Sequence, residues 1–271
     1  MEGKITPQTK LDISALLTTI TVVTSKERQI QLHFKSTGYY KIDSVFSESE
    51  IELGKSFVWE AIQKKTGLNL RTSKPKEIKK YVNKRTLYHL VDQVDERFMQ
   101  FATHPNLILA LTTILGPDIE LMVNRHNHAR LNFAGDQKVE LHRDILQSTR
   151  GIVTAILYLD ESLISNGCTV ILPGSHNYLP DVPHTDHGGG GTWLTDYPDE
   201  FVGVVDQGLP VPVPAGGVLL FNSLVFHTIG ENQTNNTRIS LAFAYRANDE
   251  LSTIDEPKTR LVAGERRRVG N

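Results

Sequence analysis

Cysteine is almost absent. Cys168 stands alone among 271 residues, which excludes an internal disulfide framework and leaves too few thiolates for a structural zinc cluster. A reducing, cytoplasmic setting is the expectation. Long apolar runs are missing as well. No stretch approaches the roughly 18 apolar residues of a membrane span, and MEGKITPQTK at the start carries no apolar signal core. Charge of one sign is missing too. The formal net charge is −2 with acids and bases interspersed, so neither nucleic acid nor an anionic membrane is an expected partner. The densest basic run, GERRRVG near the C-terminus, reads as a solvated tail. No internal repeat is found, and no segment marks a protein partner. What remains is a globular chain long enough to bury a sizeable core, with a small molecule as its expected partner.

The texture of the chain changes near residue 119. Before it lie helical signals. Ser47 and Glu50 have the spacing of a capping box ahead of Ile51, Leu53, Phe57 and Ile62, which predicts a helix over about 48–65. RTLYHLVDQVDERFMQFATHP carries Leu87, Leu90, Val91, Val94 and Phe98 at helical spacing up to His104 and Pro105, and PNLILALTTILG predicts a further helix stopping at Gly116. After residue 119 come short apolar or alternating runs between Gly, Pro, Asn and Asp. They are IELMVN, HARLNF, VELHRDIL, GIVTAILYL, CTVILP, FVGVVD, VPVP, GVLLFNSLVFHTI and RISLAFAYRA. A mainly β sandwich or jelly roll of about eight or more strands, with flanking helices, is predicted. The Gly-, Pro- and Asp-rich stretch 177–198 reads as a lid or binding loop.

Within VELHRDILQ, His142 and Asp144 stand two positions apart, so on a strand they project from one face while Leu141 and Arg143 point to the other. With ten histidines in the chain such a pattern arises by accident roughly half the time, and a second copy, His184 with Asp186, lies in the loop stretch. Strand support favours the first copy. A third ligand is expected from another strand, and His227 at the end of GVLLFNSLVFHTI is the best placed. The polar run GENQTNNT then predicts a hairpin centred near Asn232 and Gln233, which would set Arg238 opposite His227 and Ser240 two residues on with the same facing. A guanidinium aimed into a barrel needs an anion, and a small dicarboxylate supplies one in bidentate geometry. Two histidines and one carboxylate form the facial triad of non-haem Fe(II) oxygenases, with positions left open for a 2-oxo acid and dioxygen.

These segments resemble the phytanoyl-CoA dioxygenase superfamily of Fe(II)/2-oxoglutarate oxygenases, which includes ectoine hydroxylase. The resemblance runs through STGYYKIDSVFSESEIE, HPNLILALTTILGPD, HARLNF with ELHRDIL, GCTVILPGSHN and PVPAGGVLLFNSLVFHTIGENQTNNTRISLAFAY, in that order. It implies one oxygenase domain over 1–271, with a mixed N-terminal part over about 30–118 and a double-stranded β-helix, the cupin-like jelly roll, over about 119–250. It implies Fe(II), 2-oxoglutarate and O2 as cofactor and co-substrates, with succinate and carbon dioxide released. His142, Asp144 and His227 become iron ligands, and Arg238 with Ser240 the anchor of the distal carboxylate. Asn132 falls where similar hydroxylases place a polar contact to the co-substrate, and Leu141 where an apolar residue flanks it. Related halogenases lack the carboxylate that Asp144 supplies, so hydroxylation of a small, polar metabolite in specialised biosynthesis is expected. Candidate substrate contacts are His128, Arg130, Arg143, Gln147 and Trp193, with Tyr197 beside them on the loop. Arg143 alternates away from the ligand face, and an outward or salt-bridged role remains open for it. A desaturase or epimerase outcome, and a non-catalytic jelly-roll binding module, are the competing readings. His176 and Cys168 are expected to be structural, since nothing in GCTVILP activates a thiol.

Overall fold

The computed structural model describes residues 24–68, 86–124, 126–144, 151–177, 192–193, 208–249 and 258–266. Helix α1 (Ser25–Thr37) opens with a capping box from Thr24 and Glu27, and Gly38 ends it in the left-handed conformation. Strand β1 (Tyr39–Ile42) follows, then helix α2 (Glu48–Thr66). The Ser47 and Glu50 capping box is present as expected: Ser47 Oγ accepts from the Glu50 N–H, and the Glu50 carboxylate accepts from the Ser47 N–H at 2.7 Å. Such a cap stabilises a helix start by about 1 kcal/mol.

The segment 85–105 is not the helix its periodicity predicts. Thr86–Tyr88 forms strand β2, His89 turns into the left-handed region at φ 63°, and a π turn Leu90–Val94, a 3-10 turn Glu96–Phe98 and a single α turn α3 (Met99–Ala102) follow. Tertiary pairing overrides the pattern. Strand β2 ladders with β4 (His128–Asn132), and Asn127 captures the next two N–H groups, Leu90 on its carbonyl and Val91 on Oδ1, both at 3.1 Å. The apolar positions Leu87, Leu90, Val91 and Phe98 are buried all the same. Helix α4 (Pro105–Leu115), started by Pro105, completes the helical layer.

Among the described residues eleven strands follow α4, and with β1 and β2 they form two antiparallel sheets. The larger sheet runs β1, β10 (Val218–Asn222), β6 (Val153–Tyr158), β12 (Arg238–Ala247), β3 (Ile119–Met122), β13 (Thr259–Ala263), with β4 also on β12 and β2 on β4. The smaller runs β8 (Thr192–Trp193), β5 (His142–Arg143), β11 (His227–Ile229), β7 (Thr169–Ile171), β9 (Leu209–Val211). This is the double-stranded β-helix jelly roll with an N-terminal helical layer. The run FVGVVD lies outside the described residues, and β13 was not legible as a strand.

Strand parity divides the large sheet into two faces. Ile239, Leu241, Phe243 and Tyr245 of β12, Ala129 and Leu131 of β4, and Leu157 of β6 pack with Phe57, Phe98, Phe101 and Leu111 of the helical layer. The alternate residues Arg238, Ser240 and Ala242, with His128, Arg130, Thr154 and Ile156, face a cavity between the sheets.

Two connections differ from the sequence expectation. GVLLFNSLVFHTI is two strands in different sheets, because Asn222 accepts the Leu224 N–H on Oδ1 (2.9 Å) and the Val225 N–H on its carbonyl (2.8 Å) and turns the chain. Nor do β11 and β12 form a hairpin. His227 pairs with His142 and Ile171, whereas Arg238 pairs with Asn132. The polar run between them crosses from one sheet to the other, held by Asn232 Nδ2 on the carbonyls of Asn132 and Asn236, each at 2.9 Å. His227 and Arg238 thus meet across the barrel and not along a ladder.

Candidate metal and co-substrate site

Strands β5 and β11 carry the site on the small sheet. His142 and His227 are cross-strand partners with ring centroids 4.5 Å apart, and Phe221 packs against His227 at 4.4 Å. Each ring has its Nδ1 3.0 Å from a carbonyl oxygen, that of Glu140 for His142 and that of Val225 for His227. A carbonyl only accepts, so Nδ1 carries the proton and Nε2 keeps its lone pair for a metal. Asp144 follows one turn of the pleat on, with Oδ1 3.8 Å from His142 Nε2 and 3.6 Å from His227 Nε2. One ligand atom from each of the three residues lies within 4.8 Å of the others.

The electrostatics suit a cation. Burial, and next the neighbouring His227, depress His142 to about 4, so its ring is neutral at physiological pH. At Asp144 burial works to raise the carboxyl, but His126, His227, His142 and His128 outweigh it and hold it below the usual carboxylate range. Its Oδ2 is buried with no hydrogen-bond donor aligned on it. Two imidazoles whose Nε2 atoms face a buried carboxylate, one oxygen of which has no aligned donor, fit a divalent metal of the iron type.

Opposite lies Arg238, 3% exposed. Its Nη2 donates to the Gly167 carbonyl at 2.8 Å and its Nε to Asn166 at 3.4 Å, and the guanidinium lies 5.5 Å from the Tyr158 ring centre. Among the described residues no carboxylate is within 4 Å of it. Burial pulls its pKa down, the mark of a cation short of a counter-charge. Gly167, at φ 76°, has no substitute here: a Cβ would collide with the Gly230 carbonyl and crowd Asn132 Nδ2. Ser240, buried two residues beyond Arg238, also lines the cavity.

The cavity between the sheets has a volume of about 800 Å³, within the range of small-molecule sites. His142, Asp144, His227, Arg238, Ser240, His128 and Arg130 all line it. Burial, with His126 and Arg130 behind it, pushes His128 down to about 3. The sign is that of a histidine buried neutral: its contribution to stability is full above pH 6.5 and is lost as pH falls toward 3, because the unfolded chain binds the proton first. Between pH 7 and 5 this removes about 2 kcal/mol. Urea unfolding at both pH values checks it, with His128→Asn expected to reduce the difference by about that amount while His142, depressed likewise, keeps its own share.

Three expected contacts are elsewhere. Arg143 is 1% exposed and off the cavity wall: its guanidinium donates to the Ser175 carbonyl and lies 4.2 Å from the centre of the Phe226 ring. Alternation on β5 turns it away from His142 and Asp144. Arg143→Ala should therefore cost about 2–4 kcal/mol in chemical unfolding through lost stem packing and the stranded Ser175 carbonyl, whereas a surface arginine would lose under 0.5. Asn132 is buried outside the cavity lining, and its Nδ2 donates to the Asn166 carbonyl (3.0 Å), the oxygen that Arg238 Nε also reaches. It steadies the loop behind Arg238. Leu141 is buried on the face opposite His142, again off the cavity wall. Gln147, Tyr197, His184, Asp186 and most of 177–198 lie outside the described residues; of Trp193 only the backbone is described, paired with His142 through β8. Cys168 is buried and burial pushes its thiol up, in keeping with a packing role. His176 bonds the Lys35 carbonyl through Nε2 at 3.1 Å.

Sequence reasoning missed His89 and His126, which also line the cavity. His126 Nε2 is 3.4 Å from Asp144 Oδ2. The alternation in HNH, with His128 two positions on, was the signal available.

The model of the phytanoyl-CoA dioxygenase (PhyH) family matches residues 34–240, more than half of the chain. The chain belongs to this family. The family match embraces all of β1 to β11 and the start of β12, and with them His142, Asp144, His227, Arg238 and Ser240. Dioxygenase af480 of Aspergillus fumigatus is 25% identical over 226 residues, which cover 79% of this chain and 65% of that relative, just under two thirds of its length. EctD from S. alaskensis, solved with 2-oxoglutarate and 5-hydroxyectoine, superposes with a TM-score of 0.64 at 16% identity, covering 88% of this chain and 81% of that one. The epimerase SnoN, solved with Fe3+, alpha ketoglutarate and nogalamycin RO, gives 0.64 at 17% identity over 89% and 97% of the two chains. At these identities the structures share the family's jelly roll with this chain. No helix among the described residues is long and apolar enough to cross a membrane.

Proposed function

We propose that the protein is a single-domain Fe(II)- and 2-oxoglutarate-dependent dioxygenase that hydroxylates a small, polar metabolite in specialised biosynthesis. The observation that carries this reading is the opposition of His142, Asp144 and His227 to the buried Arg238 across one cavity. Family membership supports it. When bound there, Fe(II) with 2-oxoglutarate and dioxygen supplies oxidation of an unactivated C–H bond, with succinate and carbon dioxide as co-products.

The residues divide the remaining work. His142 and His227 offer Nε2, fixed in direction by their Nδ1 bonds, and Asp144 offers a carboxylate that stays ionised. Arg238 takes the distal carboxylate of the co-substrate in a bidentate pair, and Ser240 adds a hydroxyl donor beside it. That pairing supplies the anion that the buried guanidinium lacks. Ile156, Phe221 and Ile229 keep the wall near the ligands apolar and dry. His128 and Arg130 present polar groups to the substrate from β4. Asp144 occupies the position that a halide would need, which favours hydroxylation. An epimerase outcome on the same residues is the second reading, favoured by the fold shared with SnoN. The lone cysteine supports a cytoplasmic setting.

The test is a metabolite screen read by succinate release. Succinate should form only with Fe(II), 2-oxoglutarate and a matching metabolite, and a chelator should stop it. Fe(II)-independent succinate would contradict the proposal.

A further inference from the structure

Only two described residues other than glycine have positive φ, His89 and His126, the latter at 41°. Left-handed backbone costs such a residue on the order of 1–2 kcal/mol and persists where its surroundings over-determine it. The next residue does so. Asn127, 3% exposed, donates through Nδ2 to Asp92 Oδ1 (2.8 Å) and the Val123 carbonyl (3.0 Å), and accepts from the Val91 and Leu90 N–H groups. Three of these bonds clamp the connection between β3 and β4 against the turn after β2, and the one to Val123 braces the connection itself. The clamp delivers the His126 imidazole to the cavity wall.

What it meets there is the half of Asp144 that the ligand cluster leaves over. Oδ1 faces His142 and His227, while Oδ2 is buried without an aligned donor and has His126 Nε2 3.4 Å away. A buried carboxylate oxygen left alone costs about 1–3 kcal/mol or more, and it is free to swing toward a cation. On the metal-site reading above, we infer that His126 is a positioning residue of the metal centre: with an ion on Oδ1, the His126 Nε2–H, 3.4 Å from Oδ2 in this structure, turns onto that oxygen and holds it, so that the carboxylate presents Oδ1 alone to the ion. The strained loop is then part of the site. Its role is to fix the orientation of Asp144 and keep the remaining coordination positions for co-substrate. Outer partners of metal ligands typically govern affinity by 10–100-fold.

Glycine adopts positive φ without strain, so His126→Gly removes the imidazole while relaxing the loop, and His126→Gln returns an N–H donor near the former Nε2. Wild-type protein and both variants are titrated with Co(II) alone under argon, and affinity and the visible Co(II) bands are recorded. The Gly variant should bind Co(II) about 10–100-fold more weakly with altered bands and an unchanged thermal midpoint of the apo protein. The Gln variant should recover most of the affinity and the wild-type bands. A Gly variant with wild-type affinity and bands overturns the inference, as does a loss that Gln recovers in neither readout. Failure of the wild-type protein to take up Co(II) would overturn the metal-site reading itself, and this inference with it.

Discussion

His142→Ala is expected to weaken Fe(II) binding on the order of 10³-fold or more, equivalent to about 4 kcal/mol, and to abolish succinate formation. The size follows from geometry. Of the three residues of the proposed iron site, His142 is the one that both pairs with another, His227, across the ladder and stands on the strand that Asp144 directly follows. Its ring is already neutral, so no proton has to be displaced when a cation arrives. Anaerobic equilibrium dialysis measures the loss. The second H-x-D copy serves as the control: His184→Ala should bind Fe(II) like the wild type. A His142→Ala protein that keeps iron, or a His184→Ala protein that loses it, would move the site into 177–198.

Arg238→Met should weaken 2-oxoglutarate binding by about 10²-fold, roughly 2–3 kcal/mol, with Fe(II) affinity unchanged. Methionine keeps most of the apolar stem while removing the charge and the fork of donors. The guanidinium is buried, and among the described residues its hydrogen-bond acceptors are the carbonyls of Asn166 and Gly167, both neutral, so the co-substrate's carboxylate would be its counter-charge. Isothermal titration with Fe(II)-loaded protein separates the two affinities. Equal 2-oxoglutarate affinity in both proteins would remove Arg238 from the co-substrate site and leave the buried cation without a role.

The pairing of His142 with Asp144 was legible because it needs only local information. On a strand, spacing of two places side chains on one face, and His142 and Asp144 obey that although β5 ladders over only two residues. The same parity accounts for Arg143, which points into packed structure against Phe226. His227 and Arg238 were legible as residues, while their relation was not. A hairpin and a crossover between sheets both need a polar connection, and the difference lies in Asn232 finding one of its two acceptors a hundred residues away at Asn132. The break in 85–105 has the same origin, since Thr86–Tyr88 is a strand only because β4 is there to pair with it. His126 was hidden for a further reason: a left-handed residue in a loop belongs to no period, and its approach to Asp144 depends on the bonds that Asn127 makes to Asp92 and Val123. By contrast, the turn at Asn222 carried a local signal, the Asn-Ser pair inside an apolar run.

The most direct test of the central claim is an anaerobic titration of the wild-type protein with Fe(II) and then 2-oxoglutarate, followed in the visible region. A weak metal-to-ligand charge-transfer band should grow to saturation at one equivalent, be absent in His142→Ala, and require more 2-oxoglutarate in Arg238→Met. A wild-type protein that binds Fe(II) and shows no band at saturating 2-oxoglutarate would contradict the account.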